Sequence, residues 1–265
     1  MSQWPVDEGE LLYDVRDNIG RIVFNRPHAL NAFTFPMYEQ LAQICENAQS
    51  DPSVKVLIMT GAGDKAFASG TDIRDLRNFN SPQDSIDYDA RISRILRAVE
   101  DCRVPTIAAI AGACMGGGAA IASCCDLRIG TEAVKFGFPI AKTLGNCMSA
   151  DSLSRISALI GMGRIKEIIF TARLLNGYQA QQAGFLNEVV SDVPALRTRA
   201  DDLAKLLAGH APLTLYATKK ALSLLHYRKP NEEIEALVRL CYMSEDFSEG
   251  IDAFLNKRAP VWKGE

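Results

Sequence analysis

The stretch Thr106-Ile107-Ala108-Ala109-Ile110-Ala111-Gly112-Ala113-Cys114-Met115-Gly116-Gly117-Gly118-Ala119-Ala120 decides how this chain folds. Its first five residues are a short apolar run with the pattern of a fully buried strand. The run then passes through glycines into small residues, which predicts a helix from Gly116 to Cys125. Such a helix start presents unpaired N–H groups and the positive end of the peptide dipoles. Glycine there allows close approach to the main chain. What approaches is either a neighbouring element, the glycines then serving tight packing, or a ligand with developing negative charge.

Upstream, Leu11 to Arg16 and Arg21 to Asn25 are strand-like runs around the turn-rich Asp17-Asn18-Ile19-Gly20, which predicts a β-hairpin. Thr34 caps a predicted helix reaching about Ser50, and Val54 to Thr60 is a buried-strand run ended by Gly61. Ser81-Pro82-Gln83-Asp84 opens a further helix to about Asp101. Downstream, short strands are expected near Leu127 to Ile129 and Val134 to Phe138. Beyond Pro194 the spacing is helical over Leu196 to Leu207, Leu213 to Leu225 and Ile234 to Leu240. The reading is an α/β core over residues 1–195 followed by a helical region over 196–265.

Composition narrows the function classes. The 265 residues are 48% hydrophobic and 23% charged, an ordinary globular balance. Lys and Arg total 29 against 32 Asp and Glu, so no basic tract suits a nucleic-acid backbone. No stretch has the apolar length of a membrane span, and the first residues lack the layout of a secretory signal. Seven cysteines, at no zinc-ligand spacing, read as small buried residues in a reducing compartment, which implies the cytoplasm. The three histidines, His28, His210 and His226, are too scattered to imply a metal. Gly61-Ala62-Gly63-Asp64-Lys65-Ala66 formally fits a dinucleotide fingerprint, which requires a helix to open near Gly63.

Several ordered elements carry a resemblance. Asn25-Arg26-Pro27-His28-Ala29-Leu30-Asn31-Ala32, then Gly61 through Ile73 ending Ala66-Phe67-Ala68-Ser69-Gly70-Thr71-Asp72-Ile73, then Val104-Pro105-Thr106 through Gly118, Cys125-Asp126-Leu127-Arg128 and Phe136-Gly137-Phe138-Pro139 are similar to motifs of the enoyl-CoA hydratase/isomerase (crotonase) family. Thr171-Ala172-Arg173, Ala183 to Val190 and Gly250 to Arg258 extend the likeness over nearly the whole chain. The resemblance implies a spiral of ββα repeats carrying an acyl-CoA cleft, and C-terminal helices that assemble a homotrimer or a dimer of trimers. Coenzyme A would arrive as part of the thioester substrate, with no permanently bound cofactor. By position, the oxyanion-hole amides would be those of Thr71 and Gly117. The coenzyme would meet Arg26, Ala29, Ser69, Asp72, Ile73 and Arg74, together with Phe254 and Lys257. Arg74 has a solvated helix-face charge as its other, less favoured reading, and Phe254 reads equally as interface core.

The chain departs from the family where its two catalytic glutamates would stand, at Ala120 and Ile140. Neither side chain can move a proton, so the usual hydration by that pair is not supported. Asp151 is the candidate replacement base, with the first-turn acid of a helix leading to Ile160 as its other reading. Cys147 reads as a small core thiol ahead of a nucleophile. Two further functions stay open: a non-catalytic acyl-CoA-binding subunit, favoured by an apolar floor of Ala120, Ile140 and Met148, and a decarboxylase, which needs mainly the oxyanion hole.

Overall fold

The computed structural model describes residue 4 and residues 9–76, 82–227, 240 and 243–265. Strands β1 (Leu11–Arg16) and β2 (Ile19–Phe24) form an antiparallel hairpin. The second strand starts two residues earlier than expected. Asp17 and Asn18 alone make the turn, with φ of 53° and 61°, the twist that a tight hairpin needs.

Helix α1 (Phe35–Asn47) follows, with the Thr34 hydroxyl accepting the Met37 N–H as the expected N-cap. Three strand pairs then repeat one course: β3 (Val56–Gly61) and β4 (Ala66–Ala68), β5 (Thr106–Ile110) and β6 (Ala113–Met115), β7 (Leu127–Thr131) and β8 (Lys135–Gly137). Helix α2 (Pro82–Glu100) lies between the first and second pairs and α3 (Gly116–Cys124) between the second and third. Each turn adds one parallel strand to a six-stranded sheet, ordered β1-β2-β3-β5-β7-β9, and one to a three-stranded sheet, ordered β4-β6-β8. Strand β9 (Glu188–Val190) completes the larger sheet. This is the expected spiral of ββα repeats.

Both faces of the large sheet are covered, and its strands read as alternating pairs. Leu57, Met59, Ala108 and Ile110 face the main core inside the spiral, whereas Val56, Ile58, Ile107 and Ala109 face a second core. That second core is closed by a late helix. The intervening helices are α4 (Ile140–Thr143), α5 (Ala150–Ile160), α6 (Met162–Thr171) and α7 (Gly177–Gln182). Helix α8 (Val193–Ala208) then lays Leu196, Ala200 and Ala204 on the sheet's outer face. The division expected near residue 195 falls inside α8. Helices α9 (Pro212–His226) and α10 (Glu245–Leu255) follow, and the helix expected over Ile234 to Leu240 lies, Leu240 apart, outside the described residues.

After β3 the chain bends and continues into β4, with Gly63 in a loop at φ 78°. No helix opens there, so the dinucleotide fingerprint is a sequence coincidence.

Helix α8 is also held electrostatically. Asp201 accepts from Nε and Nη2 of Arg21 on β2, at 3.0 and 2.7 Å, and both side chains are 5% exposed. Removing one member strands the other in a poorly solvated place. Asp201→Ala is expected to lower the unfolding free energy by about 3–5 kcal/mol, measured by urea denaturation, and replacing Arg21 and Asp201 together by apolar residues to recover much of that loss.

Candidate active site

The ends of β4 and β6 leave the small sheet side by side, because Ala66 pairs with Ala113 and Ala68 with Cys114 in parallel register. The next residues, Gly70-Thr71 and Gly116-Gly117, therefore face one another across a narrow gap. A Cβ on Gly117 would lie 3.4 Å from the Thr71 backbone nitrogen and 2.2 Å from the Tyr38 hydroxyl. A Cβ on Gly118 would lie 2.3 Å from the Ala68 carbonyl oxygen, so α3 seats against β4 only because that atom is absent. Among the described residues, no hydrogen bond is drawn from the N–H of Thr71 or of Gly117. Thr71 and Gly117 both line one cavity of about 310 Å³.

The cavity wall is mostly apolar. Ile92, Leu96, Phe138, Ile140, Met148 and Ala120 line it, and helix α2 presents Tyr88, Ile92 and Leu96 at successive fourth positions. Ala120 and Ile140, where the sequence resemblance implies glutamates, thus both line the cavity. Among the described lining residues the one carboxylate is Asp89, which is exposed. The remaining polar groups are hydroxyls, an amide and a thiol. Thr71 Oγ1 sits 2.9 Å from the Tyr38 hydroxyl and 3.1 Å from the Tyr88 hydroxyl. Burial, and then the proximity of Tyr88, push the Tyr38 phenol well above its ordinary pKa, so it stays protonated.

Asp151 stands apart from this group. It occupies the first turn of α5, behind the Ser149 N-cap, and pairs with Nη2 of Arg97 at 2.7 Å outside the cavity wall. Its alternative reading as a first-turn acid describes its place. Cys147 corrects the sequence reading in another way. It is exposed and lines the cavity, because the irregular stretch between α4 and α5 carries it along the rim instead of into the core. The other described cysteines are buried.

The residues assigned to the coenzyme divide into two groups. Ser69 and Ile73 line the cavity, and Ile73 is 56% exposed. Arg26, by contrast, is buried. It donates to the Ala32 carbonyl and to Asp72 at 3.0 Å, and pairs with Glu10 at 2.9 Å, so it braces the 26–32 loop against the segment after β4. Ala29 lies in the short 3-10 turn Pro27–Ala29, where its carbonyl accepts from the Ser69 hydroxyl at 3.5 Å. Arg74 is exposed and folds back on Asp72 at 2.7 Å. Lys257 lies past α10, exposed, outside the cavity wall. Phe254 falls within α10, its side chain outside what the structure describes. The sequence reading passed over Tyr38, Tyr88 and Asp89. For Tyr88 a signal existed in its spacing from Ile92 and Leu96 on one helix face.

Comparison with known proteins identifies the family and its fold. The family model described as "Enoyl-CoA hydratase/isomerase" matches residues 14–265. A short-chain-enoyl-CoA hydratase of Clostridium acetobutylicum is 29% identical, covering 94% of this chain and 95% of that protein. An enoyl-CoA isomerase/hydratase of Mycosarcoma maydis is 34% identical over 92% of each. Among solved structures, an enoyl-CoA hydratase/carnithine racemase from Magnetospirillum magneticum superimposes with a TM-score of 0.89 at 33% identity, covering 98% of this chain and 97% of that one.

Asp72 makes the loop bracing sensitive to acid. The Arg74 guanidinium, with help from Arg26, holds its carboxyl far below the usual carboxylate range. Against an unfolded value of about 3.9, its ionised form stabilises the fold above roughly pH 4, and that contribution fades as pH falls toward the folded value. The difference in Tm between wild type and Asp72→Asn is therefore expected to be largest above about pH 4 and to shrink on acidification, measured by thermal melts across a pH series.

Proposed function

The chain belongs to the enoyl-CoA hydratase/isomerase family, and we propose that it acts on an acyl-CoA thioester by holding the enolate oxygen on the backbone N–H groups of Thr71 and Gly117. The observation that supports this reading is that Thr71 and Gly117 lie side by side on one largely apolar cavity. A pre-oriented N–H pair stabilises charge that develops on a thioester oxygen, and low local polarity strengthens the effect. The charge comes from backbone geometry, so the threonine at position 71 is compatible with the role.

The usual two-glutamate hydration is not part of the proposal, because Ala120 and Ile140 carry no acid. Coenzyme A enters as part of the substrate, across the Ser69 and Ile73 side of the cavity. Arg74, beside that side and 69% exposed at its side chain, is the cation placed to meet phosphate once it exchanges its Asp72 partner for one. Exposed Met162, Phe170, Leu222 and Leu225 support assembly through α6 and α9 into the trimer or paired trimers that the family likeness implies. No described helix is long and apolar enough to cross a membrane.

One observation favours a second reading. The cavity floor of Ala120, Ile140 and Met148 is apolar, as expected of a subunit that binds acyl-CoA without turning it over. Exchange of the α-protons of butyryl-CoA with deuterated solvent separates the two, because it reports enolate formation whatever the final product. Wild type is expected to catalyse exchange, and Gly117→Val, which intrudes on Tyr38 and Thr71, to lose it by about 10²- to 10³-fold or more. Gly163→Ala, whose added Cβ would meet no neighbour within 4 Å, serves as the control. An unchanged rate in Gly117→Val removes the oxyanion assignment, and tight binding without exchange by wild type supports the second reading.

A further inference from the structure

With glutamate missing from both usual positions, a proton at the substrate's α-carbon needs another carrier. The cavity's hydroxyls can be sorted by what they already do. Ser149 caps α5, accepting the Ser152 N–H at 3.2 Å and the Ser152 hydroxyl at 3.0 Å. Thr143 donates to the Pro139 carbonyl at 3.1 Å, and Ser69 to the Ala29 carbonyl at 3.5 Å. These groups hold backbone in place. The Tyr38, Thr71 and Tyr88 hydroxyls instead lie in sequence, 2.9 and 3.1 Å apart, from the core to the cavity wall.

This series has a direction. Tyr38 is fully buried, and the partner drawn for its hydroxyl is Thr71 Oγ1. A buried O–H left undonated costs about 1–3 kcal/mol, so Tyr38 donates to Thr71. Thr71 has one hydroxyl proton, which then points to Tyr88. A phenol oxygen that receives a donated hydrogen bond is stabilised in its ionised form. Burial first, and then the proximity of Tyr88, raise the pKa of Tyr38, so its hydroxyl keeps the proton that it donates to Thr71.

We propose that Tyr88 is the acid/base group that moves the proton at the α-carbon of the bound thioester, with the Thr71 side chain and Tyr38 as positioning residues behind it. The proposal rests on the acyl-CoA reading above. The geometry is economical, because Thr71 serves both ends of the reacting unit. Its N–H faces the thioester oxygen, and its hydroxyl sets the phenol that faces the adjacent carbon. In the forward step the Tyr88 phenolate oxygen takes the α-proton. The C–H electron pair becomes the new double bond to the thioester carbon, and the carbonyl π pair moves onto the oxygen held by Thr71 and Gly117. In the reverse step Tyr88 returns the proton to carbon, and no further reactant is required. Where the enolate arises by loss of carbon dioxide, the returning step alone completes the reaction.

The test is α-proton exchange of butyryl-CoA in deuterated water, followed by mass spectrometry, with butyryl-CoA affinity measured in parallel by calorimetry. Tyr88→Phe is expected to keep the affinity within a few-fold while exchange falls by about 10²-fold or more. Thr71→Val keeps the backbone N–H and the side-chain shape, so it should lose part of the rate with little change in affinity, and Thr71→Ser should restore it. Exchange at the wild-type rate in Tyr88→Phe overturns the proposal. So does exchange that survives in Tyr88→Phe but vanishes in Asp89→Asn, which assigns the proton to the neighbouring carboxylate. Wild type that binds butyryl-CoA without exchanging it also overturns the proposal while leaving the binding reading intact, whereas wild type that does not bind it brings down the acyl-CoA reading itself.

Discussion

The start of α3 lies so near the end of β4 that a Cβ at Gly118 would strike the Ala68 carbonyl, and the rest of the site follows from that spacing. Parallel pairing of two very short strands sets their exits side by side. Helix α3 can begin there because Gly118 adds nothing between itself and the Ala68 carbonyl. A helix start leaves N–H groups without intrahelical partners, and here one of them belongs to Gly117, which lies beside Thr71 where both line the cavity. The pair therefore depends on strand register and the absence of two Cβ atoms.

Keeping that spacing rigid falls to buried charged residues that do not face the cavity. Arg26 ties the 26–32 loop to Asp72, one residue beyond Thr71. Arg128, 4% exposed, donates to the Ala122 and Cys125 carbonyls at the far end of α3 and to the Phe185 carbonyl. It satisfies carbonyls that the end of a helix otherwise leaves open. At the start of β5, Asp126 accepts from the Thr106 N–H and hydroxyl and from Lys219 of α9. Arg128 holds several backbone carbonyls at once, whereas Arg26 and Asp126 each join one backbone group to side chains elsewhere in the chain.

The cavity itself has a different character. Its floor carries Ala120 and Ile140, and its ionisable content is an exposed aspartate at the wall, two tyrosines and a rim cysteine. Main-chain dipoles and neutral hydroxyls can act in an apolar space without the desolvation penalty that a buried carboxylate incurs.

The architecture and the place of the site were legible in the sequence because both are written in local patterns. Buried runs ending in glycine mark the strands, Thr34 marks a helix start, and the glycines after Met115 mark the approach of two backbones. Side-chain partners are not local, and there the sequence reading went astray. Asp151 carries the chemistry of a base, yet it sits beside Arg97, 54 positions away in the chain. Arg26 carries the charge to meet a phosphate, yet folding commits it to Ala32, Asp72 and Glu10. Tyr38 and Tyr88 are ordinary helix residues until two helices bring them to the two sides of Thr71. The sequence by itself determined the family, the repeats and the glycines that let two backbones approach. Only the tertiary structure decided which charges are already paired and which hydroxyls form a chain, because a hydrogen bond depends on a few ångströms of separation that residue order does not contain.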